Sequence, residues 1–322
     1  ETKFGDKYVV MHPDDKRYEK YIEGQKIKLE WINGPIEATV VKDKVIDMEF
    51  GTGVMTITPW HTPIDFDIAE RHKLDKEQII DKYGKLLPIS GEFAGMKIAD
   101  AREKIVEKLK AKGLLVSIDE NYVNRIATAE RTNGIIEPQI MLQWFVDVNK
   151  KIPSRENKSL KELMLEPVRE GKIKIIPNHF EKVYFNWIEN LRDWCISRQL
   201  WYGHRIPVWY RSTSLTAGKE EIYCGIEAPK EDGWVQDEDT LDTWFSSGLW
   251  TFSTLGWPEK TKDLETYHPT TVLETGHDIL FFWIARMILM SQYLLGETPF
   301  ENVYLHGMVR TKDGKKMSKS LG

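Results

Sequence analysis

The rhythm of apolar and polar positions changes along the chain. Tyr8-Val9-Val10-Met11 is β-branched and aromatic and stops at His12-Pro13-Asp14-Asp15, which predicts a strand and a turn. Residues 38–41 and Val45-Ile46 flank the charged Lys42-Asp43-Lys44 and predict a hairpin. After Gly51-Thr52-Gly53, Val54-Met55-Thr56-Ile57-Thr58 alternates like a half-buried strand, and Pro59 ends it. Residues 64–72 predict a short helix. The clearest helix covers 100–112, where Ala101, Ile105 and Leu109 recur at i, i+4 and i+8 and Gly113 suits the left-handed position past its end. Strands with few helices and no βαβ rhythm predict a β-rich α+β or barrel-like module.

Further on the elements alternate. Residues 160–170 predict a helix, 172–176 a strand, and 187–200 a helix with Trp187, Leu191 and Trp194 on one face. Residues 271–275 predict a strand closed by Gly276, then a long helix from Asp278, then a strand at 303–306. Such spacing predicts a doubly wound parallel sheet, whose ligands sit beyond the carboxyl ends of the strands. The apolar run 279–295 approaches the length of a membrane span. Arg286 lies near its middle, with Ser291 and Gln292 beyond, so it predicts a buried helix instead. Of 12 Trp, only Trp31 and Trp60 precede residue 138, which predicts two domains, 1–138 and 139–322. The fold class expected is α/β: a β-rich α+β domain followed by part of a Rossmann-like parallel sheet.

Composition narrows the classes. With 45 basic and 50 acidic residues the net charge is −5, so general adhesion to nucleic acid is not the expectation. The 2 cysteines, Cys195 and Cys224, exclude a disulfide-rich scaffold and a four-cysteine zinc site. No apolar stretch opens the chain, so no signal peptide is expected, and the first residue, Glu1, points to a fragment.

Several residues could carry chemistry. Gly51-Thr52-Gly53 lacks the G-x-G-x-x-G pattern, so a tight turn outweighs a dinucleotide loop. His61, Asp65, Asp67 and His72 could be drawn as a metal cluster but lack a ligand spacing, and a solvated helix surface suits most of them better. The segment Asp313-Gly314-Lys315-Lys316-Met317-Ser318-Lys319-Ser320 is a cationic loop with hydroxyl donors after an apolar strand. It suits a polyphosphate, where pre-aimed donors stabilise spread negative charge; the alternative is a solvated loop. Gly276-His277-Asp278 at a strand-to-helix junction could meet a nucleotide, or Asp278 could simply cap the helix. Trp244, in Leu241-Asp242-Thr243-Trp244-Phe245-Ser246-Ser247, sits among small polar residues like a pocket wall, whereas Trp194, Trp201, Trp209, Trp250 and Trp257 read as core.

Together these residues carry a resemblance. Lys316-Met317-Ser318-Lys319-Ser320 matches the KMSKS signature of class I aminoacyl-tRNA synthetases. Residues 193–207 resemble the large editing subgroup. Residues 241–247, 275–287, and Glu137-Pro138 with Gln143-Trp144-Phe145-Val146 resemble the valyl-tRNA synthetases within it. Gly51-Thr52-Gly53 with residues 58–66 resembles that subgroup's editing domain.

The resemblance implies that Lys316 and Lys319 stabilise the triphosphate of ATP while valine forms its adenylate. Met317, Ser318 and Ser320 share that loop, and Mg²⁺ is expected on the phosphates. His306, Gly307 and Met308 would line the adenine side, Gly276 and Asp278 would hold the ribose, and Asp242 and Trp244 would shape the valine pocket. A valine pocket rejects threonine only about 100-fold, a figure general to valyl enzymes and not drawn from this sequence. A second site is therefore implied, where Asp65 anchors the α-amino group of misattached threonine and Thr52 helps to place the ester.

The HIGH motif, the opening strand of the editing domain and the anticodon-binding domain of the family are absent. An internal fragment, inactive alone in adenylate synthesis, is the expectation. Thr62 and Trp60 stand where the family often has Asp and Ala, and residues 211–223 replace a cysteine-rich knuckle, so no zinc and no other protein-bound metal is expected. The expected partners are valine, ATP and tRNA(Val), without a membrane, in a cytoplasmic protein that is monomeric at full length. An isoleucyl-type synthetase and a trans-editing module with a degenerate synthetase half are the alternatives.

Overall fold

The computed structural model describes the chain except residues 124, 130–131, 213–219, 315 and 318–322. It divides into two compact units, Glu1–Met141 and Leu142–Gly322, three residues beyond the boundary expected from Trp usage.

In the first unit β1 (Tyr8–Met11), β2 (Lys26–Trp31), β3 (Gly34–Lys42) and β4 (Val54–Thr56) form one sheet in the order β2-β3-β1-β4. The central strand β1 runs parallel to β3 and antiparallel to β4. Both its faces are covered: Val10 packs with Val41, Ile57 and Ile68, while Val9 and Met11 pack with Ala38 and Val40. This explains why β1 is apolar throughout where an edge strand would alternate. α1 (Pro63–His72) starts with Pro at its first turn, where a missing N–H costs nothing, and ends on Lys73 in the left-handed region, φ 54°. α2 (Ile98–Ala111) buries Ala101 and Ile105, as its period requires, against Ile79, Ile80 and Leu86.

The hairpin expected around residues 42–44 does not form. β3 pairs instead with β2, from Lys26 opposite Thr39 to Trp31 opposite Gly34. The reason lies in Asp43, whose Oδ1 accepts from the Val45 N–H at 2.9 Å and whose Oδ2 accepts from Arg71 at 2.8 Å. That turn drops Ile46 into the core and off the sheet.

The second unit contains β5 (Phe145–Val146), α3 (Leu160–Arg169), β6 (Lys174–Ile176), α4 (His179–Glu189), β7 (Trp194–Cys195) and β8 (Ser197–Arg198). It continues with β9 (Val208–Ser212), β10 (Glu220–Cys224), β11 (Val235–Gln236), β12 (Thr240–Leu241), α5 (Thr243–Ser247), α6 (Trp250–Ser253) and α7 (Lys262–Tyr267). β13 (Thr270–Gly276), α8 (Ala285–Leu294) and β14 (Phe300–His306) close it. β13, β14 and β6 form the parallel sheet, with β14 in the middle. Met164 of α3, Tyr184 and Ile188 of α4 and Met287 and Ile288 of α8 share one core with Ile175, Leu273 and Val303 of the strands. α3 starts with a capping box, Ser159 and Glu162 bonding each other's backbone N–H.

The helix expected over 187–200 is overturned. α4 ends at Glu189, and residues 194–198 are two short strand segments. Cys195 pairs with Phe145, Ser197 with Leu241, and the Ile196 N–H donates to Trp144 O at 2.8 Å. The backbone groups a helix would have used internally are thus taken by distant chain. The long helix after Gly276 also forms irregularly, through a 3₁₀ turn (His277–Ile279) and a π turn (Leu280–Ile284), before α8 begins. Arg286 is buried near the start of α8, and no helix among the described residues is long and apolar enough to cross a membrane.

Candidate functional site

In the second unit the site grows from two strand ends. Gly276 closes β13 in register with His306, which closes β14, so both carboxyl ends lie side by side. A Cβ on Gly276 would sit 2.7 Å from Asp278 Oδ1 and 2.7 Å from Met308 Sδ, so a side chain here would push one or both of them aside. His306 Nδ1 faces Gly307 O at 2.8 Å, and its Nε2 lies 3.5 Å from Glu274 Oε1.

The loop after β14 then doubles back. Gly314, at φ +77°, donates to Thr311 O at 2.9 Å, Arg310 bridges Lys316, and the Met317 N–H donates to Val309 O at 3.1 Å. This hairpin brings the Lys316 ammonium onto Asp278 Oδ2. The hydrogen bond from Lys316 holds the Asp278 carboxyl below the usual carboxylate range. Asp278 is not the helix cap: Gly276 takes that position, which leaves the carboxylate for Lys316. Gly276, Asp278, His306, Met308 and Lys316 are therefore brought together. Ser318, Lys319 and Ser320 lie outside the described residues.

Beside Asp278 a cavity of about 210 Å³ is walled by Phe180, Val183, Trp187 and Phe281. His277 stacks on Phe180, ring centroids 5.5 Å apart at 17°. In the sequence this wall is carried by the apolar stripe Phe180, Val183, Tyr184, Trp187 at i, i+3, i+4 and i+7.

Asp242 and Trp244 sit at the start of α5. Buried Asp242 accepts from Trp194 Nε1 at 3.1 Å and pairs with Arg198 Nη2 at 3.1 Å. Trp244 stacks on Phe282, centroids 5.9 Å apart at 26°. The Arg286 guanidinium lies 3.9 Å from the Trp194 ring centroid; burial pushes its pKa down to about 10, which leaves it charged.

In the first unit Asp65 is buried on α1 and its Oδ2 accepts from the Thr58 N–H at 2.8 Å. Burial pushes its carboxyl above the ordinary range. Thr52 lies at the other end of β4, exposed, with Tyr18 donating to its carbonyl at 2.7 Å. Gly53, at φ +74°, leaves no room for a Cβ beside Arg17 and Met48 O.

The expectation of a solvated surface fails for two members of the drawn cluster, because His61 and Asp65 are buried. His61 Nε2 accepts from the Ile79 N–H at 2.9 Å and the Ile80 N–H at 3.2 Å, while Nδ1 faces Pro138 O at 3.3 Å. Burial pushes its pKa down, so a neutral imidazole caps that backbone. Among the described residues no three His, Cys, Asp or Glu side chains converge as metal ligands.

The chain matches the family model for class I tRNA synthetases (I, L, M and V) over residues 37–322. It is 47% identical over 328 residues to a valine–tRNA ligase of Clostridium tetani, 46% over 325 to one of Clostridium acetobutylicum, and 47% over 327 to one of Streptomyces coelicolor. Each alignment takes in 100% of this chain and 35% of the relative, so the chain spans about a third of the length of these relatives. With a family model matched over most of its length, the chain belongs to the class I tRNA synthetases of the I, L, M and V group.

Proposed function

We propose that the chain is the part of a valine–tRNA ligase that carries its editing domain and the latter half of its nucleotide site. One observation carries this reading: Gly276, His306 and Met308 converge at the ends of two parallel strands, and a returning loop brings Lys316 onto Asp278.

The chemistry follows from those groups. The valine carboxylate attacks the α-phosphorus of ATP, the bond to pyrophosphate breaks, and valyl-adenylate forms. Lys316, with Lys319 three positions on in the sequence, neutralises charge that grows on the leaving pyrophosphate. Asp278 accepts from the ribose hydroxyls once Lys316 has moved to the phosphates. His306, Gly307 and Met308 flank the adenine, and Gly276 keeps the approach open. Asp242, fixed by Trp194 and Arg198, positions Trp244 against valine. A terminal tRNA hydroxyl then attacks the activated carbonyl and AMP leaves.

Among the described residues no three acidic, His or Cys side chains converge as metal ligands, which fits Mg²⁺ carried by the triphosphate and not a site built by the protein. That ion supplies further charge neutralisation on the phosphates. No zinc is invoked. In the first unit Asp65 anchors the α-ammonium of misattached threonine and water cleaves the ester, while Thr52, at the far end of β4, stands apart from that anchor. Ligation to tRNA(Val) serves translation, so the setting is cytoplasmic.

Charging of tRNA(Val) by the purified full-length protein tests the reading. Valine charging well above isoleucine charging is expected. Preference for isoleucine, or no charging with either, would refute it.

A further inference from the structure

Six polar side chains meet where the turn Thr2–Gly5 passes the end of β4. Thr2 and Thr58 join through their hydroxyls at 3.2 Å, and the Thr58 N–H donates to Asp65 at 2.8 Å. Lys3 Nζ donates to Thr56 O and to Thr56 Oγ1, both at 2.9 Å. Asp6 Oδ2 lies 3.8 Å from the same Nζ, beyond hydrogen-bond reach. The Asp6 side chain is 1% exposed and neither of its oxygens has a hydrogen-bond partner, whereas the Lys3 side chain is 44% exposed.

Lys3 is thus a half-exposed member of a polar cluster in which Asp6, Thr58 and Asp65 are buried. A lysine has three donors, and Thr56 takes two. Its position is set by a strand carbonyl and a strand hydroxyl, so little reorganisation is needed when a new acceptor arrives. It is close enough to Asp65 to hold that carboxyl down against the burial that raises it.

We propose that Lys3 is a catalytic residue of the hydrolytic site, where its third donor binds the oxyanion formed as an aminoacyl ester is cleaved. This rests on the reading of Asp65 as the anchor of the α-ammonium. The ester carbonyl carbon is two bonds from that nitrogen, so the ester is held close to the carboxylate on which the Lys3 charge acts. Water oxygen bonds to the carbonyl carbon and the π pair moves onto the carbonyl oxygen, which Lys3 receives. The bond to the ribose oxygen then breaks, and that oxygen gains the proton the water loses. Free amino acid and a tRNA with its terminal hydroxyl restored are the products.

The test uses the full-length protein with threonyl-tRNA(Val). Lys3→Met is expected to lower kcat of deacylation by about 10–100-fold, with KM little changed, because a preorganised donor acts on the transition state. Lys3→Arg should recover most of that loss, and both variants should charge valine as the parent does. Deacylation by Lys3→Met within twofold of the parent, while Asp65→Ala abolishes it, would overturn the role of Lys3 alone. Parental deacylation by both variants would overturn the editing reading itself. Loss of valine charging in parallel in Lys3→Met and Lys3→Arg, with lowered unfolding midpoints, would mark Lys3 as structural and overturn the proposal.

Discussion

The Lys316 ammonium rests on the Asp278 carboxylate, 38 residues earlier in the chain. The pairing depends on three local facts: Gly276 without a side chain, Gly314 at positive φ, and the bridge from Arg310 to Lys316. It sets a cation and an anion side by side just beyond the carboxyl ends of β13 and β14.

The two members of this pair should fail differently. Lys316→Met in the full-length protein should lower the turnover of valine-dependent pyrophosphate exchange by about 100-fold, since it removes charge stabilisation that matters most in the transition state. Asp278→Asn should act mainly on KM for ATP, raising it by about 10-fold, because ribose contacts bind ground and transition states alike. Steady-state exchange kinetics with varied ATP separate the two.

Asp65 should be separable from synthesis. Asp65→Ala should leave valine charging within about twofold and abolish hydrolysis of threonyl-tRNA, as loss of an α-ammonium anchor misplaces the ester. In the parent, burial raises the Asp65 pKa. Ammonium binding needs the ionised carboxylate, so KM for threonyl-tRNA should rise as pH falls through that raised value, sooner than an ordinary aspartate would require. A pH series of deacylation kinetics reads this directly.

Asp6 should cost stability at neutral pH. Burial raises its pKa to about 6, and the nearby Lys3 only partly offsets this. Below about pH 4 the carboxyl is protonated in both folded and unfolded chains and has no effect. Between about 4 and 6 the folded chain holds a proton that the unfolded chain has released, so stability falls as pH rises through this window. Asp6→Asn should therefore match the parent below pH 4 and exceed it by about 2–3 kcal/mol above pH 6. Denaturant titrations at the two pH values check it.

Arg286 offers a test of packing. Its guanidinium stacks 3.9 Å from the Trp194 centroid and 5.0 Å from that of Phe281, and its Nη1 has no hydrogen-bond partner. Arg286→Ala should cost about 3 kcal/mol through the cavity and the lost cation–π contact. Arg286→Met fills the volume without a buried charge and should stay within about 1 kcal/mol of the parent. Unfolding midpoints of the two variants decide it.

Local rules made some of this legible in advance. The period of Ala101, Ile105 and Leu109, the run ending at Gly276 and the Lys316 motif each express structure in adjacent residues. The helix expected over 187–200 fails because that stretch pairs with distant chain. Trp187, Leu191 and Trp194 share a helical spacing, yet Trp194 faces Asp242, 48 residues on, and its backbone belongs to a strand. β2 was legible and overlooked: Lys-Ile-Lys-Leu-Glu-Trp alternates strictly and Asn33-Gly34 signals a turn. Lys3 and Asp6 could not be found that way, because only the fold brings them to Thr56 and Asp65.

On the proposed function, the Lys316–Asp278 site serves activation of valine. Pyrophosphate exchange by the full-length protein, with valine or isoleucine and with or without Lys316→Met, tests it most directly. The account predicts exchange that is faster with valine and nearly abolished in the variant. Exchange that favours isoleucine, or that survives Lys316→Met at the parental rate, would contradict it.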